Sequence, residues 1–353
     1  MGKIRVAVLG ATGMIGQRFV QMLEGHPYFE IEGLYASERS DGKKLRDVLK
    51  VRDFEYKEET LDSKIEVMDL KKIAKNARIA FSGIPSDLAG KTESELAENG
   101  VGVFTNAGAH RMDKNVAILI PEVNPLHLNS IKDQPMYKNG GFIVTNANCS
   151  STGIAPPLAA IRDAFGLDFV SVSTYQALSG AGYPGVPSLD VVGNVIPFIN
   201  GEEEKMESEI AKMLGTYENG KFNFAKFRVL ANCARVPVVD GHLESLVIRT
   251  EKVPTVDELS DVLKKFKGEP QTLKLPSAPE QAIIVRSENN RPQPAFDVLA
   301  GSPARAKGMS VVVGRIRKND EYHKLFVLSH NTLRGGAGGS VLNAELAKAK
   351  GLI

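Results

Sequence analysis

Cysteine is nearly missing from this sequence: its 353 residues include two, Cys149 and Cys233. Two thiols far apart in the chain make neither a disulfide framework nor a metal-binding set. No metal is therefore expected, and a reducing cytoplasm is the expected compartment. A dominant charge is missing too. Lys and Arg total 44 against 42 Asp and Glu, a formal net charge of +2. That gives no reason to expect nucleic acid or a membrane as partner, and it is compatible with small anionic ligands. No apolar run reaches the length of a membrane-spanning helix. The run near the N-terminus, "IRVAVL" (4–9), is too short for a secretory signal and ends in glycine, so none is expected. Repeats, low-complexity tracts and flexible linkers are also lacking. A chain of this length exceeds one small core, so two domains with a close interface are expected rather than two joined by a tether.

What is present changes texture along the chain. The first half alternates strand-like and helix-like stretches: "IRVAVL" (4–9), "IGQRFVQMLEGH" (15–26), "FEIEGLYAS" (29–37), "KKIAKNARIAFSGI" (71–84), "DLAGKTESELAENG" (87–100) and "VGVFTNAG" (101–108). Such alternation implies βαβ units and a parallel sheet. After about residue 165 longer strand-like runs follow, and they suggest an antiparallel or mixed sheet: 168–178, 228–239, 242–253, 309–318 and 324–331. Asp240-Gly241, between two of these runs, is a hairpin signal that would pair Val239 with His242 and Arg235 with Leu246. A helix is expected over 202–214, with Met206, Ile210, Met213 and Leu214 on its apolar side, and a last helix over about 340–351. The fold class read from this pattern is α/β, a Rossmann-type dinucleotide-binding domain plus an α+β domain with a large mixed sheet.

In "VAVLGATGMIGQRFV" (6–20), Gly10, Gly13 and Gly16 follow a strand and open a helix. Glycines there let backbone N–H groups approach a pyrophosphate at the helix N-terminus. The spacing, with Ala11 and Thr12 inside it, departs from G-x-G-x-x-G. Strand two runs into "YASERSDGKKL" (35–45), the place where such a domain chooses its cofactor. Ser37, Arg39, Ser40 and Lys43 suit a 2′-phosphate and favour NADP, while Glu38 is a competing signal that leaves NAD as an alternative.

Cys149 ends the strand-like "FIVTNAN" and precedes "SSTGIAPPLAAIRDAF". That segment can be helical from about Gly153, with Pro156 and Pro157 in its first turn. A thiolate is stabilised near a helix N-terminus, and the same N–H groups could hold an oxyanion. Cys233, inside a strand-like run, reads as a buried structural thiol. Gln176 ends an apolar strand before the glycine-rich loop of Gly180, Gly182 and Gly185. His242 is suited to acid/base work near neutrality, and Arg235 to a bidentate carboxylate contact.

In order along the chain, "GATGMIGQRF", "TNAGAHRMD", "TNANCSSTG", "TYQALSGAGYPG", "GEEEKMESE", "RVPVVDGHLES" and "HNTLRGGAGG" make the sequence similar, over nearly its full length, to the aspartate-β-semialdehyde dehydrogenases of the archaeal and fungal branch. The resemblance implies NADP-dependent reduction of L-aspartyl 4-phosphate to the semialdehyde through a cysteine thioester. Cys149 then matches the nucleophile, His242 the acid/base group and Gln176 the residue orienting the acyl group. Arg235 matches the α-carboxylate ligand, and Glu202, with Glu203 as the alternative, the amino-group ligand. Lys205, Arg111 and Asn148 match the phosphate site. Cofactor contacts are implied at Gly10, Thr12, Gly13, Met14, Ile15, Gly16, Ser82, Gly83, Ser179, Gly180, Gly182, Asn331 and Gly338, besides the loop after strand two. It further implies a cofactor domain over 1–148 completed by 333–353, a catalytic and dimerisation domain over 149–332, and a homo-oligomer, dimer or tetramer. The partners are then an acyl-phosphate or aldehyde and inorganic phosphate. Ala147 stands where the family usually has proline. The segment "SSTGIAPP" also resembles malonyl-CoA reductase, but the asparagine that relative has lost is retained here as Asn148. N-acetyl-glutamyl-phosphate reductase is more distant. A non-catalytic NADP-binding sensor would need the glycine turn but not Cys149, Gln176, Arg235 and His242 together.

Overall fold

The computed structural model describes residues 2–353. Its first half follows the βα alternation: β1 (Ile4–Leu9), α1 (Met14–Leu23), β2 (Phe29–Ala36), α2 (Glu58–Leu61), β3 (Ile65–Val67), α3 (Leu70–Asn76), β4 (Ile79–Ser82), α4 (Ser86–Glu98), β5 (Gly102–Thr105), β6 (Ala117–Leu119) and β7 (Phe142–Asn146). The seven strands form one sheet in the order β3-β2-β1-β4-β5-β7-β6, and every neighbouring pair is parallel. Strands buried on both faces need apolar residues at every position. In β1 the two faces separate by period two: Val6 and Val8 join the core that holds Phe19 of α1, whereas Ala7 and Leu9 join the one that holds Ile73 and Leu96.

The second half contains α5 (Cys149–Phe165), β8 (Phe169–Gln176), α6 (Ser188–Val191), α7 (Glu202–Met213), a small hairpin of β9 (Thr216–Glu218) and β10 (Lys221–Asn223), β11 (Arg228–Arg235), β12 (His242–Arg249), α8 (Val256–Lys265), α9 (Glu269–Thr272), β13 (Ile283–Val285), α10 (Pro294–Asp297), β14 (Val311–Asn319), β15 (Tyr322–Ser329) and α11 (Gly338–Ala349). Six of these strands form a mixed sheet, β11-β8-β12-β15-β14-β13. Along β12, buried and half-exposed residues alternate. One face of the sheet packs on α5, α7 and α8 through Leu158, Met206 and Leu263. The other carries half-exposed Ser171, Ser173, Ser245 and Val247. The four apolar residues expected on the buried side of α7, Met206, Ile210, Met213 and Leu214, are all buried.

Two local expectations are corrected. Asp240-Gly241 does not join a two-stranded hairpin. Strand β8 lies between β11 and β12, parallel to β11 and antiparallel to β12, so Val239 does not pair with His242 nor Arg235 with Leu246. A turn signal reports local backbone preference, here Gly241 at φ +98°, and does not choose the strand's neighbour. Helix α5 starts at Cys149, not Gly153, so Pro156 and Pro157 lie in its interior. Asn148 caps the earlier start by accepting from the Ser150 and Ser151 N–H groups. Burial of the helix from Ser150 through Ile161 outweighs the backbone bonds two prolines cannot make.

The C-terminal segment returns to the parallel sheet. Val341, Leu342 and Leu346 of α11 sit in the same core as Phe19 and Phe81. A buried bidentate pair, Arg334 with Glu122 at 2.8 and 2.9 Å, anchors the turn that precedes it.

Candidate active site

A cleft of about 690 Å³ opens where β1, β4, β5 and β7 end and the mixed sheet begins. Cys149 borders it at the first turn of α5. Its Sγ lies 3.1 Å from Nε2 of His242. The Nδ1 of His242 accepts the Ala177 N–H at 3.0 Å, and the Ala177 carbonyl accepts from Nη1 of Arg235 at 2.8 Å. One residue, Ala177, therefore holds both the imidazole and the guanidinium in place. Strand order explains the grouping. Arg235 pairs with Gln176 across β11 and β8, and Leu243 with Tyr175 across β12 and β8. Arg235, Gln176 and His242 thus end three adjacent strands at one edge of the cleft.

Burial dominates the electrostatics. It pushes the Cys149 thiol up to about 12, with Glu202 adding to the rise and Arg111 and Arg235 opposing it. Burial also pushes His242 down to about 3, helped by the charge of Arg235. Arg235 is itself lowered by burial. On β12, two residues beyond His242, Glu244 is fully buried, and neither carboxyl oxygen has a hydrogen-bond partner. Its proton affinity is raised far above the usual carboxylate range by desolvation.

Helix α7 presents Glu202, Lys205 and Glu209 at spacings of three and four, one face of a helix. Oε1 of Glu202 accepts from Nδ2 of Asn148 at 2.8 Å and from Nε2 of Gln176 at 2.9 Å. Glu203 turns the other way and accepts the Cys233 N–H at 2.9 Å, so of the two glutamates Glu202 is the one that lines the cleft. Lys205 lines the cleft and is exposed. Arg111 donates to the carbonyls of Asn146 and Asn106 and to Oε1 of Glu209. The other oxygen of Glu209 accepts the Asn148 N–H at 2.8 Å. Glu209 was not singled out from sequence, although its seven-residue offset from Glu202 was a usable signal. Asn148 is more committed than expected. Its Oδ1 accepts from the Ser150 and Ser151 amides and its Nδ2 donates to Glu202. Those two amides are therefore not free to hold an oxyanion.

On the other wall, Gly13, Met14, Ile15, Gly83, Ser179, Gly180, Gly182 and Asn331 line the cleft. Gly13 caps α1 with no side-chain bond to its first turn. Gly10 and Gly16 shape the turn from behind: Gly10 has φ +77°, and a Cβ on Gly16 would lie 2.1 Å from the Gly10 carbonyl oxygen. Thr12 sits within the same turn, off the cleft wall. A Cβ on Gly180 would come within 2.9 Å of Nη1 of Arg235 and 3.0 Å of Cε1 of His242. Asn331 donates to the Ser179 hydroxyl at 2.7 Å. Ser37, Arg39, Ser40 and Lys43 stand on the loop after β2, away from the cleft wall, with Ser37, Arg39 and Lys43 exposed. Two expected positions face elsewhere. The Ser82 hydroxyl donates to buried Glu93 at 2.6 Å. Gly338 is packed under Met309, whose sulfur a Cβ would meet at 2.5 Å. In place of Gly338, Gly335 touches the site: a Cβ there would fall 2.9 Å from Cys149. Asp53, Asp240 and His330 come within 4.8 Å of one another. Arg18 already holds both oxygens of Asp53, so this group is an ion-pair cluster.

Residues 5–131 match the family described as "Semialdehyde dehydrogenase, NAD binding domain", and residues 158–334 match "Semialdehyde dehydrogenase, dimerisation domain". The chain is 47% identical over 344 residues to an aspartate-semialdehyde dehydrogenase of Archaeoglobus fulgidus, covering 97% of each. It is 39% identical over 368 residues to that of Saccharomyces cerevisiae, covering 100% of each. Among solved structures, the Candida albicans aspartate semialdehyde dehydrogenase with NADP superposes with a TM-score of 0.89 at 36% identity, over 100% of both chains. Fold, cleft and relatives agree, and the chain belongs to the aspartate-semialdehyde dehydrogenase family.

Proposed function

We propose that this protein interconverts L-aspartyl 4-phosphate and L-aspartate 4-semialdehyde with NADP(H), through a thioester on Cys149, as a step in the biosynthesis of lysine, threonine, methionine and isoleucine. The observation that carries the reading is the 3.1 Å contact between Cys149 and His242, in a cleft that also holds Arg111, Lys205, Arg235 and the Gly13–Ile15 turn. A dinucleotide fits that turn, because its glycines leave backbone free at the start of α1. When bound, NADP supplies the hydride acceptor. Ser37, Arg39, Ser40 and Lys43 give the loop after β2 the groups a 2′-phosphate needs, with Glu38 leaving NAD as the alternative.

The chain's own residues divide the work. Cys149 carries the acyl group, so that phosphate displacement and hydride transfer become separate steps. Gln176, held by Glu202, orients that group. Arg235 takes the α-carboxylate and the free oxygen of Glu202 takes the amino group. Lys205 and Arg111 meet the phosphate, and Asn148 fixes the loop between them and the thiol. Residues 1–148 with 333–353 form the cofactor domain and 149–332 the catalytic domain. The half-exposed outer face of the mixed sheet suits a second copy, giving a homodimer, with a tetramer as the larger alternative. Among the described residues no helix is long and apolar enough to cross a membrane, and a cytoplasmic location is part of the proposal. Malonyl-CoA reductase and a non-catalytic sensor draw no support from these relatives.

The test is phosphate-dependent reduction of NADP⁺ by aspartate semialdehyde, run beside an assay with malonyl-CoA and NADPH. Turnover with the first and its loss in Cys149→Ser are expected. No turnover, or full turnover in Cys149→Ser, overturns the reading.

A further inference from the structure

Helix α7 carries two buried charges to which the proposed reaction gives no role. Glu202, Lys205, Glu209 and Lys212 form a single stripe along the helix. Glu202 and Lys205 line the cleft. Glu209 and Lys212 lie deeper, each 2% exposed, and both bond to Arg111.

Arg111 belongs to the loop of residues 106–116, which joins β5 to β6 through turns and has no strand or helix of its own. Its guanidinium offers five N–H groups. Nε donates to the Asn146 carbonyl at 3.0 Å, Nη2 to the Asn106 carbonyl at 2.8 Å and Nη1 to Oε1 of Glu209 at 2.9 Å. Two N–H groups remain, one on each terminal nitrogen, on a residue that lines the cleft. A phosphate can take both. With all three nitrogens on fixed acceptors, the plane of that fork cannot turn. The other oxygen of Glu209 accepts the Asn148 N–H at 2.8 Å, and Asn148 directly precedes Cys149. One carboxylate thus holds the anion fork in register with the residue beside the thiol, which is what an oriented phosphate needs.

Lys212 holds the other end of Arg111. An ammonium has three N–H groups, and three main-chain carbonyls accept from this one: Arg111 at 2.6 Å, Val116 at 2.9 Å and Asp113 at 3.1 Å. The Phe222 ring covers it, with Nζ 4.5 Å from the centroid. No donor is left for a ligand, so Lys212 does not meet phosphate itself.

We infer that Glu209 and Lys212 are positioning residues of the phosphate site, Glu209 orienting the Arg111 guanidinium and tying it to Asn148, and Lys212 fixing the main chain that carries it. The inference rests on Arg111 being a phosphate ligand, as proposed above. Proton exchange between Cys149 and His242 stays as it is, because neither residue touches that pair.

The test is steady-state kinetics of the full-length protein, with inorganic phosphate varied against saturating aspartate semialdehyde and NADP⁺. Glu209→Gln sets an amide N–H₂ against one of two donors, and is expected to raise the KM for phosphate by roughly 10- to 100-fold, the scale of a hydrogen bond to a charged group. The KM values for aspartate semialdehyde and NADP⁺ should stay within about threefold. Glu209→Asp keeps the charge but is one methylene short of spanning both partners, and Lys212→Gln keeps two of three donors. Both should shift the phosphate KM in the same direction by a smaller factor, and they carry the test if Glu209→Gln is unfolded by circular dichroism. In an Arg111→Ala background, adding Glu209→Asp should change the phosphate KM by less than about twofold, because its effect passes through Arg111. A parent enzyme whose rate ignores phosphate overturns both the proposed reaction and this inference. A parent that saturates in phosphate, with variants that leave that KM unchanged, shift all three KM values alike, or act undiminished without Arg111, overturns this inference alone.

Discussion

Gly335 is pressed against Cys149 so closely that a Cβ added to the glycine would lie 2.9 Å from the Cα, Cβ and carbonyl oxygen of the cysteine. These atoms belong to backbone and to the proposed nucleophile, which cannot move without losing its contact with His242. Gly335→Ala is therefore expected to displace Cys149 and to lower kcat by about 100-fold, the scale of a 1 Å misplacement. NADP affinity, measured by fluorescence titration, should change much less. Unchanged turnover would show that the segment yields and that the contact does not position the thiol.

The neighbouring glutamates separate function from stability. Glu202 holds Asn148 and Gln176 inside the cleft, while Glu203 bonds the backbone of β11. Glu202→Gln is expected to lower kcat/KM for aspartate semialdehyde by roughly 10- to 100-fold, the loss of a hydrogen bond to a charged group. Glu203→Ala should cost roughly 1 kcal/mol in stability and leave kcat/KM within twofold. Denaturant melts and steady-state rates on both variants check this, and the opposite pattern would reverse the assignment.

Buried Glu244 predicts a pH dependence with a definite sign. Its folded-state proton affinity is raised by desolvation, so folding favours the protonated carboxyl. The native state is least penalised below the ordinary carboxylate pKa, and stability is lost as pH rises from there toward the elevated folded value. Glu244→Gln removes that loss. Its melting temperature should match the parent at pH 4 and exceed it at pH 8, with about 1 kcal/mol of relief worth about 2–4 °C. A difference independent of pH would mean that Glu244 does not titrate in this window.

Thiol reactivity should distinguish the two cysteines. Burial pushes both up to about 12, so the thiolate is a minor species near neutrality and alkylation should climb roughly tenfold per pH unit from pH 7 to 9. Cys149 borders the cleft, whereas Cys233 is 3% exposed. Iodoacetamide should label Cys149 first, with peptide mapping as the readout, and equal slow labelling of both would argue against an accessible nucleophile.

The Arg334–Glu122 pair is the structural counterpart of these site predictions. Both side chains are buried and bonded twice, so Glu122→Ala leaves a buried guanidinium unpaired, at about 3–5 kcal/mol. Because Arg334 precedes Gly335, alkylation of Cys149 should also slow in whatever fraction stays folded. Chemical denaturation measures the first effect, and a loss under 1 kcal/mol would show that solvent reaches the pair.

Much of this was legible from the amino-acid order. Hydrophobic period and glycine punctuation mark β1, the turn after it and α1, because those signals are local and repeat within a few residues. The partners of Asp240-Gly241 were not legible, since a turn dipeptide carries no information about a strand inserted from elsewhere. Nor was the start of α5. Two prolines argued for Gly153, and the cap from Asn148 with burial on all sides of the helix outweighed them.

By itself the sequence determined which chemical groups exist: one cysteine at a strand end, a histidine and arginine in one motif, an acidic helix start, a glycine turn. Those follow from residue type and spacing, which folding does not alter. Only the tertiary structure decided how they act. Placing β8 between β11 and β12 brought Arg235, Gln176 and His242 into line and set the Ala177 amide against Nδ1, while α7 aimed Glu202 into the cleft and Glu203 at the backbone of β11. Hydrogen-bond polarity depends on which atom faces which, and that is settled by strand order and packing between residues far apart in the chain.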